Sequence, residues 1–188
     1  MARDFLEPAP PRLLAIGGFS GSGKSTLARA LAPSIGRAPG AVVIRSDEVR
    51  KALHGVPTLQ RLGPDGYTPE VTERVYRTVE RRAAEILRGG QSVIADAVFG
   101  RPSDRVAIEH VAAAAAVSFL GFWLEASPAV LMARVDTRRA DPSDADASII
   151  RRQIAQDPGS LTWHRLDAGV APEAVTAQAY TVAAKQFP

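Results

Sequence analysis

The chain has 188 residues, of which 46% are apolar, 23% charged and 6% aromatic, the composition of an ordinary globular protein, so collagen-like, disordered and coiled-coil classes are excluded. It contains no cysteine, which removes disulfide scaffolds, thiolate metal sites and cysteine nucleophiles together and is compatible with a reducing compartment. Basic residues number 23 against 20 acidic, a net charge of +3; the arginines are scattered and no basic run interleaved with aromatics marks a nucleic-acid face.

This length predicts one domain over 1–188. The first eleven residues carry Asp4, Glu7 and three prolines, and the first apolar run, Leu13 to Ile16, is too short for a secretory signal or a membrane span. The expectation is a cytoplasmic protein without membrane contact. From Leu13 onward, short, continuously apolar runs alternate with longer amphipathic stretches, the βαβα order of a parallel sheet covered on both faces.

The first predicted strand, Leu13 to Ile16, runs into Gly17-Gly18-Phe19-Ser20-Gly21-Ser22-Gly23-Lys24-Ser25-Thr26, followed by a predicted helix from Lys24 to Leu31. Gly18, Gly23, Lys24 and Ser25 stand in the register G-x-x-x-x-G-K-S between a strand and a helix, the setting of a phosphate-binding loop. Glycines let successive N–H groups of Ser20, Gly21, Ser22, Gly23 and Thr26 turn inward as an anion nest at a helix N-terminus. Lys24 reaches the β- and γ-phosphates of ATP as a point charge, and Ser25 is placed to ligate Mg2+.

A second strand, Ala41 to Arg45, leads into a helix from Ser46 to Leu53. A carboxylate at the C-terminal end of the strand beside the loop is placed to take a proton from an attacking hydroxyl, which makes Asp47 the candidate general base. Arg50, one helical turn later, is a candidate for holding the acceptor or neutralising charge. The plain alternative is that Ser46 and Asp47 only cap the helix. Gly55 to Gly66 has no period and reads as a surface insertion; with the start of the next helix, about 55–82, it forms the expected acceptor side.

Glu70 to Arg88 is the most periodic segment, with Val71, Val75, Val79, Ala83 and Ile86-Leu87 on one stripe. The third strand, Ser92 to Asp96, ends in an acid that either orients the metal, meets the acceptor or is simply solvated at a strand end. Arg101 and Arg105 follow, four apart, on the next loop and on the helix Ser103 to Ala116, and face either the acceptor or solvent. After the strand Ser118 to Leu124 comes a helix from Ser127-Pro128 to about Arg139, and then an arginine- and aspartate-rich loop, Asp136 to Ala147. Over about 134–148 this reads as a lid in which Arg134 and Arg138, on one helix face, supply positive charge to the transferring phosphoryl group; the alternative is a solvated helix end. Arg151 and Arg152 read as surface residues. A weaker strand around Leu161 to Leu166 and a helix from Glu173 to Gln186 close the chain. His54, His110 and His164 stand alone, without metal spacing, and Trp123 and Trp163 read as packing residues.

The glycine-rich loop, the S-D-x-x-R segment from Ser46 to Arg50, the apolar run ending in Asp96 and the arginine-rich loop resemble the P-loop kinase group that includes gluconate kinase, chloramphenicol phosphotransferase, zeta toxins and the kinase half of polynucleotide kinase. Nearly the whole chain, above all Ser46-Asp47-Glu48-Val49-Arg50-Lys51 and Pro142-Ser143-Asp144-Ala145, resembles a bacterial kinase-like domain often labelled an AAA family ATPase, which in many proteins follows an aminoglycoside-phosphotransferase-like domain. The resemblance implies a three-layer α/β/α P-loop NTPase fold with a five-stranded parallel sheet in the order 2-3-1-4-5, ATP with magnesium, Asp47 as base, arginines over the phosphates, and the Asp167 to Pro172 segment beside adenine. The expected activity is phosphoryl transfer from ATP to a hydroxyl of a small molecule. A polynucleotide 5′-hydroxyl kinase and an ATP-binding regulatory module with slow hydrolysis are the alternatives.

Overall fold

Alternate residues of the first strand point into two different cores, and this divides the molecule into layers. The computed structural model describes residues 9–137, 141–145 and 147–187, the side chain at 147 excepted. In strand β1 (Arg12–Gly18), Leu13 and Ala15 face one side of the sheet, Leu14 and Ile16 the other, and all four are fully buried. Strands β2 (Val42–Arg45), β3 (Val93–Asp96), β4 (Ser118–Glu125) and β5 (His164–Asp167) complete a sheet in the order β2-β3-β1-β4-β5, every pairing parallel. That is the 2-3-1-4-5 order the resemblance implies.

Seven α-helices lie among the described residues. On one face α2 (Ser46–Leu53), α3 (Pro69–Arg88) and α4 (Pro102–Ala114) bury Val49, Val75, Val79, Ala83, Leu87, Ile108 and Ala112 against Leu13, Ala15, Val93 and Ala95. On the other, α1 (Lys24–Leu31) and α7 (Pro172–Gln186) set Leu27, Leu31, Val175 and Ala179 against Leu14, Ile16, Ile94 and Phe122. The expected stripe of α3 is therefore its buried face, and the helix starts as its sequence predicts: the Thr68 hydroxyl accepts from Val71 N, with Pro69 at the first helical position.

Three expectations are corrected. The last strand lies at His164–Asp167, C-terminal to the expected position. Helix α5 (Pro128–Asp136) stops at Asp136, with Thr137 as its cap. A helix not expected from the sequence, α6 (Ala147–Ile154), follows the charged loop. Eight residues are too few for a helix to stand on propensity, and α6 is held instead by tertiary packing: Ile150, fully buried, forms a cluster with Leu131 and Val135 of α5, and Phe19 of the glycine-rich loop packs against that cluster.

Both tryptophans are packed in the interior, as expected. Trp163 lies across β1 and β4 because those strands offer Gly17 and Gly121 beneath its ring. Its Nε1–H donates to Glu109 Oε1 at 2.6 Å, so the burial of its one polar atom is compensated.

Candidate functional site

The loop between β1 and α1 takes left-handed backbone at Gly18 (φ 133°), Gly21 (φ 85°) and Gly23 (φ 92°). At the first two, space is as demanding as the dihedral: a Cβ on Gly18 would meet Leu124 O at 2.6 Å, and one on Gly21 would meet Leu131 O at 2.6 Å. At Gly23 a Cβ would meet nothing within 4 Å, so this residue borders open space at the start of α1. Inside the loop, the Phe19 carbonyl accepts from Ser22 N at 3.1 Å and from Lys24 Nζ at 3.0 Å. Ser22 Oγ is buried and has no hydrogen-bond partner among the described residues. This is a preformed concavity with a cation at its rim.

Directly behind Lys24, Ser25 Oγ donates to Asp96 Oδ2 at 2.6 Å. Asp96 ends β3, whose register beside β1 carries its carboxylate to the loop. Burial pushes its carboxyl above the ordinary aspartate range, against the pull of Lys24, Ser25 and Arg45. A magnesium ion bound with a nucleotide takes one or two protein oxygens and completes its shell with phosphate and water; Ser25 and Asp96 offer that set. Among the described residues no cluster of three or more His, Cys, Asp or Glu could hold a metal by itself, so the site suits a metal that arrives with phosphate.

Arg45, at the end of β2, is the cation that the sequence reading missed. It is 7% exposed, with Nε 3.3 Å from Asp96 Oδ2, Nη2 3.3 Å from Asp141 Oδ1 and Nη1 3.4 Å from Glu48 Oε1. Burial opposes its charge, but Asp96, Asp141, Glu48 and Asp47 together hold its pKa above the ordinary arginine value. A signal was present: it is the one charged residue in an otherwise apolar run that ends at the level of the loop.

Asp47 and Arg50 come from α2. The helix takes Arg45 as its N-cap residue, without a side-chain cap, so the plain capping alternative for Ser46 and Asp47 is not what the structure shows. The half-buried Asp47 carboxylate makes no hydrogen bond or ion pair among the described residues, yet its charge acts on Asp96, Arg45 and Tyr67. Arg50 is buried and turned to the insertion: Nη1 donates to Gly66 O at 2.8 Å and the guanidinium lies 4.7 Å above the Tyr67 ring.

The insertion is tied to the charged loop by a buried knot. Asp144 Oδ2 accepts from Lys51 Nζ at 2.5 Å, Tyr67 Oη at 2.6 Å and Leu62 N at 2.9 Å, while Lys51 also donates to Gln60 O. Burial would raise the Asp144 carboxyl, but these donors hold it below the usual carboxylate range. Residues 141–145 of the expected lid are thus fastened at two points, Arg45 with Asp141 and Lys51 with Asp144.

On the other side of the loop, Ser22, Gly23, Thr26, Arg134, Ala168 and Val170 border a cleft of about 210 Å³ closed by Leu124 and α7. Arg134 lies here, its Nη1 donating to Ala168 O at 2.8 Å. The segment expected beside adenine therefore lines a cleft that continues from the loop. Arg138, the second expected lid arginine, lies outside the described residues. Arg101 is exposed and pairs with Asp104. Arg105 is buried and caps the carbonyls of Phe99, Pro158 and Ser160 at 2.8, 2.6 and 2.9 Å, so neither reading offered for it, acceptor contact or surface, describes it. His54, His110 and His164 are exposed and separate, and Arg151 and Arg152 lie on the surface.

Residues 13–157 match the AAA domain family AAA_33. The chain is 34% identical over 186 residues to an uncharacterized protein of Mycobacterium tuberculosis and to its counterpart in Mycobacterium bovis, an alignment covering 97% of this chain and 36% of theirs, so it spans about a third of the length of these relatives. It is 32% identical over 123 residues to adenylyl-sulfate kinase of Myxococcus xanthus, covering 65% of this chain and 62% of that one. In fold it is similar to a gluconokinase of Sinorhizobium meliloti, with TM-score 0.67 at 21% identity over 95% of both chains. A loop of this geometry on a 2-3-1-4-5 sheet, within a match covering most of the sequence, gives the assignment: the chain belongs to the AAA_33 family of kinase-like P-loop domains.

Proposed function

We propose that the protein transfers the γ-phosphoryl group of ATP, with magnesium, to a hydroxyl of a small molecule, and that Asp47 is the general base. The observation that carries this reading is the position of Asp47: a carboxylate in the first turn of α2 with no hydrogen bond or ion pair among the described residues, whose charge acts both on Asp96, the partner of Ser25, and on Tyr67 of the insertion. A base needs a free lone pair next to where the phosphoryl group is transferred, and the other acids of this neighbourhood are engaged: Asp96 by Ser25 and Arg45, Asp141 by Arg45, Asp144 by Lys51.

In this mechanism the loop amides and Lys24 hold the polyphosphate and lower the energy of the charge that gathers on the leaving oxygens. Ser25 and Asp96 would hold magnesium, which when bound would supply further neutralisation of the phosphate charge. Asp47 orients the acceptor hydroxyl and takes its proton as the new bond forms. Arg45 keeps Asp96 ionised and in place. Arg50, engaged with Gly66 and Tyr67, shapes the acceptor side, and Arg134 closes the cleft beside the nucleotide. Arg138 belongs to the same proposal as a lid cation.

The test is acceptor-stimulated ADP release over a panel of sugars, aminoglycosides, nucleosides and nucleotide sugars, run on the natural sequence and on Asp47→Asn. An acceptor that stimulates release is expected, with the substitution abolishing transfer while nucleotide affinity changes less than about threefold. Turnover unchanged in Asp47→Asn defeats the assignment of the base, and a blank panel with ATP still bound favours the regulatory alternative.

A further inference from the structure

A polar contact on the middle of the glycine-rich loop comes from a distant helix. Ser20 N donates to Gln153 Oε1 at 2.8 Å, across 133 positions of sequence. Gln153 lies on α6, three residues after Ile150 and so on the same helix face; Ile150 belongs to a buried cluster with Leu131 and Val135 against which Phe19, the neighbour of Ser20, packs. Helix α6 therefore meets the loop at Ser20 through an amide, beside an apolar cluster that Phe19 joins. Phe19 in turn meets Trp123 edge-on, with ring centroids 5.7 Å apart.

A backbone N–H can only donate, so the glutamine must turn its oxygen toward Ser20. An oxyanion brought to the same N–H would meet that oxygen's lone pairs. The terminal torsion of a glutamine is broad and close to two-fold, so half a turn replaces Oε1 by the Nε2 donors at little energetic cost. The side chain can thus serve the loop in two states, as an acceptor for Ser20 and as a donor to an anion placed against Ser20. Ser20 precedes Gly21, Ser22 and Gly23, and Lys24 extends its ammonium back to Phe19 O beside it. This puts Gln153 at the end of the cradle where the lysine head lies, the end at which a terminal phosphate is held.

Resting on the nucleotide-binding reading above, we propose that Gln153 is a positioning residue that senses the γ-phosphate: its amide rotates from acceptor to donor when a triphosphate occupies the loop, so that α6 is held by a neutral bond to Ser20 N without the γ-phosphate and by a stronger, charge-assisted bond with it. The coupling needs no movement of the sheet. It works through one side chain whose helix also borders the charged loop 141–145 in sequence.

The experiment measures the affinities of AMP-PNP and ADP, each with magnesium, by calorimetry on the full chain and on Gln153→Ala and Gln153→Glu. It adds hydrogen exchange of the amides of 147–154 in the three states: without nucleotide, with ADP and with AMP-PNP. Gln153→Ala is expected to weaken AMP-PNP by about tenfold, the size of one hydrogen bond to a charged group, and ADP by less than about twofold. Gln153→Glu weakens AMP-PNP further, because a carboxylate cannot donate to phosphate. AMP-PNP, and not ADP, slows exchange in α6 of the natural sequence, and the slowing is lost in Gln153→Ala. Equal shifts for both nucleotides, or none, overturn the inference and leave nucleotide binding standing. Failure of the natural sequence to bind either nucleotide overturns both.

Discussion

Replacing Asp144 by alanine removes the carboxylate on which three donors converge, and the structure sets the scale of the loss. Lys51 is 1% exposed and keeps only the Gln60 carbonyl once Asp144 is gone. Breaking a buried pair by deleting one partner typically costs about 3–5 kcal/mol, because the remaining charge is stranded away from water. Tyr67 Oη and Leu62 N lose their acceptor as well, but these losses share one group and do not add. For a chain of 188 residues this corresponds to a fall in Tm of roughly 6–20 °C. The assay is thermal and urea unfolding of Asp144→Ala beside the double substitution Lys51→Met with Asp144→Leu. Apolar replacement of both partners avoids the stranded charge and is expected to recover more than half of the loss. The sign with pH follows from the direction of the shift. A carboxyl held below its usual range contributes stability above the ordinary aspartate pKa and loses it as pH falls through the folded value. The difference between the natural sequence and Asp144→Ala therefore narrows below about pH 4. A loss under about 1 kcal/mol, or a double substitution as damaging as the single one, refutes the view that this knot is a buried, compensated charge.

Asp96 is shifted the other way, so its carboxylate protonates at a higher pH than an ordinary aspartate, and nucleotide affinity at low magnesium is expected to fall as pH drops through that raised value. The same direction means that ionised Asp96 works against folding at neutral pH, so Asp96→Asn is expected to leave Tm equal or higher while weakening magnesium-dependent nucleotide binding; unfolding scans and titrations with and without magnesium check both signs. Gly121→Ala drives a methyl into the Trp163 ring and is expected to cost about 1–3 kcal/mol, with a shift in tryptophan emission; an unchanged Tm and spectrum means that the ring has room the structure does not show.

The layers were legible because parallel strands buried on both faces are continuously apolar, and β1 to β4 read as such from Leu13, Ile44, Ile94 and Phe122 outward. The loop was legible because its chemistry is local: the glycines, Lys24 and Ser25 are consecutive. The partners of that loop were not, because they arrive through the fold. Asp96 stands 71 positions from Ser25 and was found by its strand-end position, whereas Gln153 stands 133 positions from Ser20, on a helix too short to announce itself. Arg45 was read as the end of a strand; its place as the one charge in an apolar run marked it, but not the convergence of Asp96, Asp141 and Glu48, two of which lie far away in sequence. Arg105 misled for a related reason: an arginine in the first turn of a helix looks exposed, and two of the carbonyls that let it be buried, those of Pro158 and Ser160, come from a segment more than fifty positions away.

The buried charges of the site form two sets with different chemistry. Lys51 and Asp144 are a tight pair bonded to further protein groups, Lys51 to Gln60 O and Asp144 Oδ2 to Tyr67 Oη and Leu62 N, so their arrangement can hold the insertion to the charged loop whether or not a ligand is present. Arg45 and Asp96 are not bonded as tightly: Arg45 divides its charge among Asp96, Asp141 and Glu48 at 3.3–3.4 Å, and its Nε lacks a hydrogen bond of good geometry. Loose, shared ion pairs rearrange at less cost than tight ones. A dication reaching Asp96 would compete with Arg45 for that carboxylate, whereas nothing in the Lys51–Asp144 pair offers such a competitor a place.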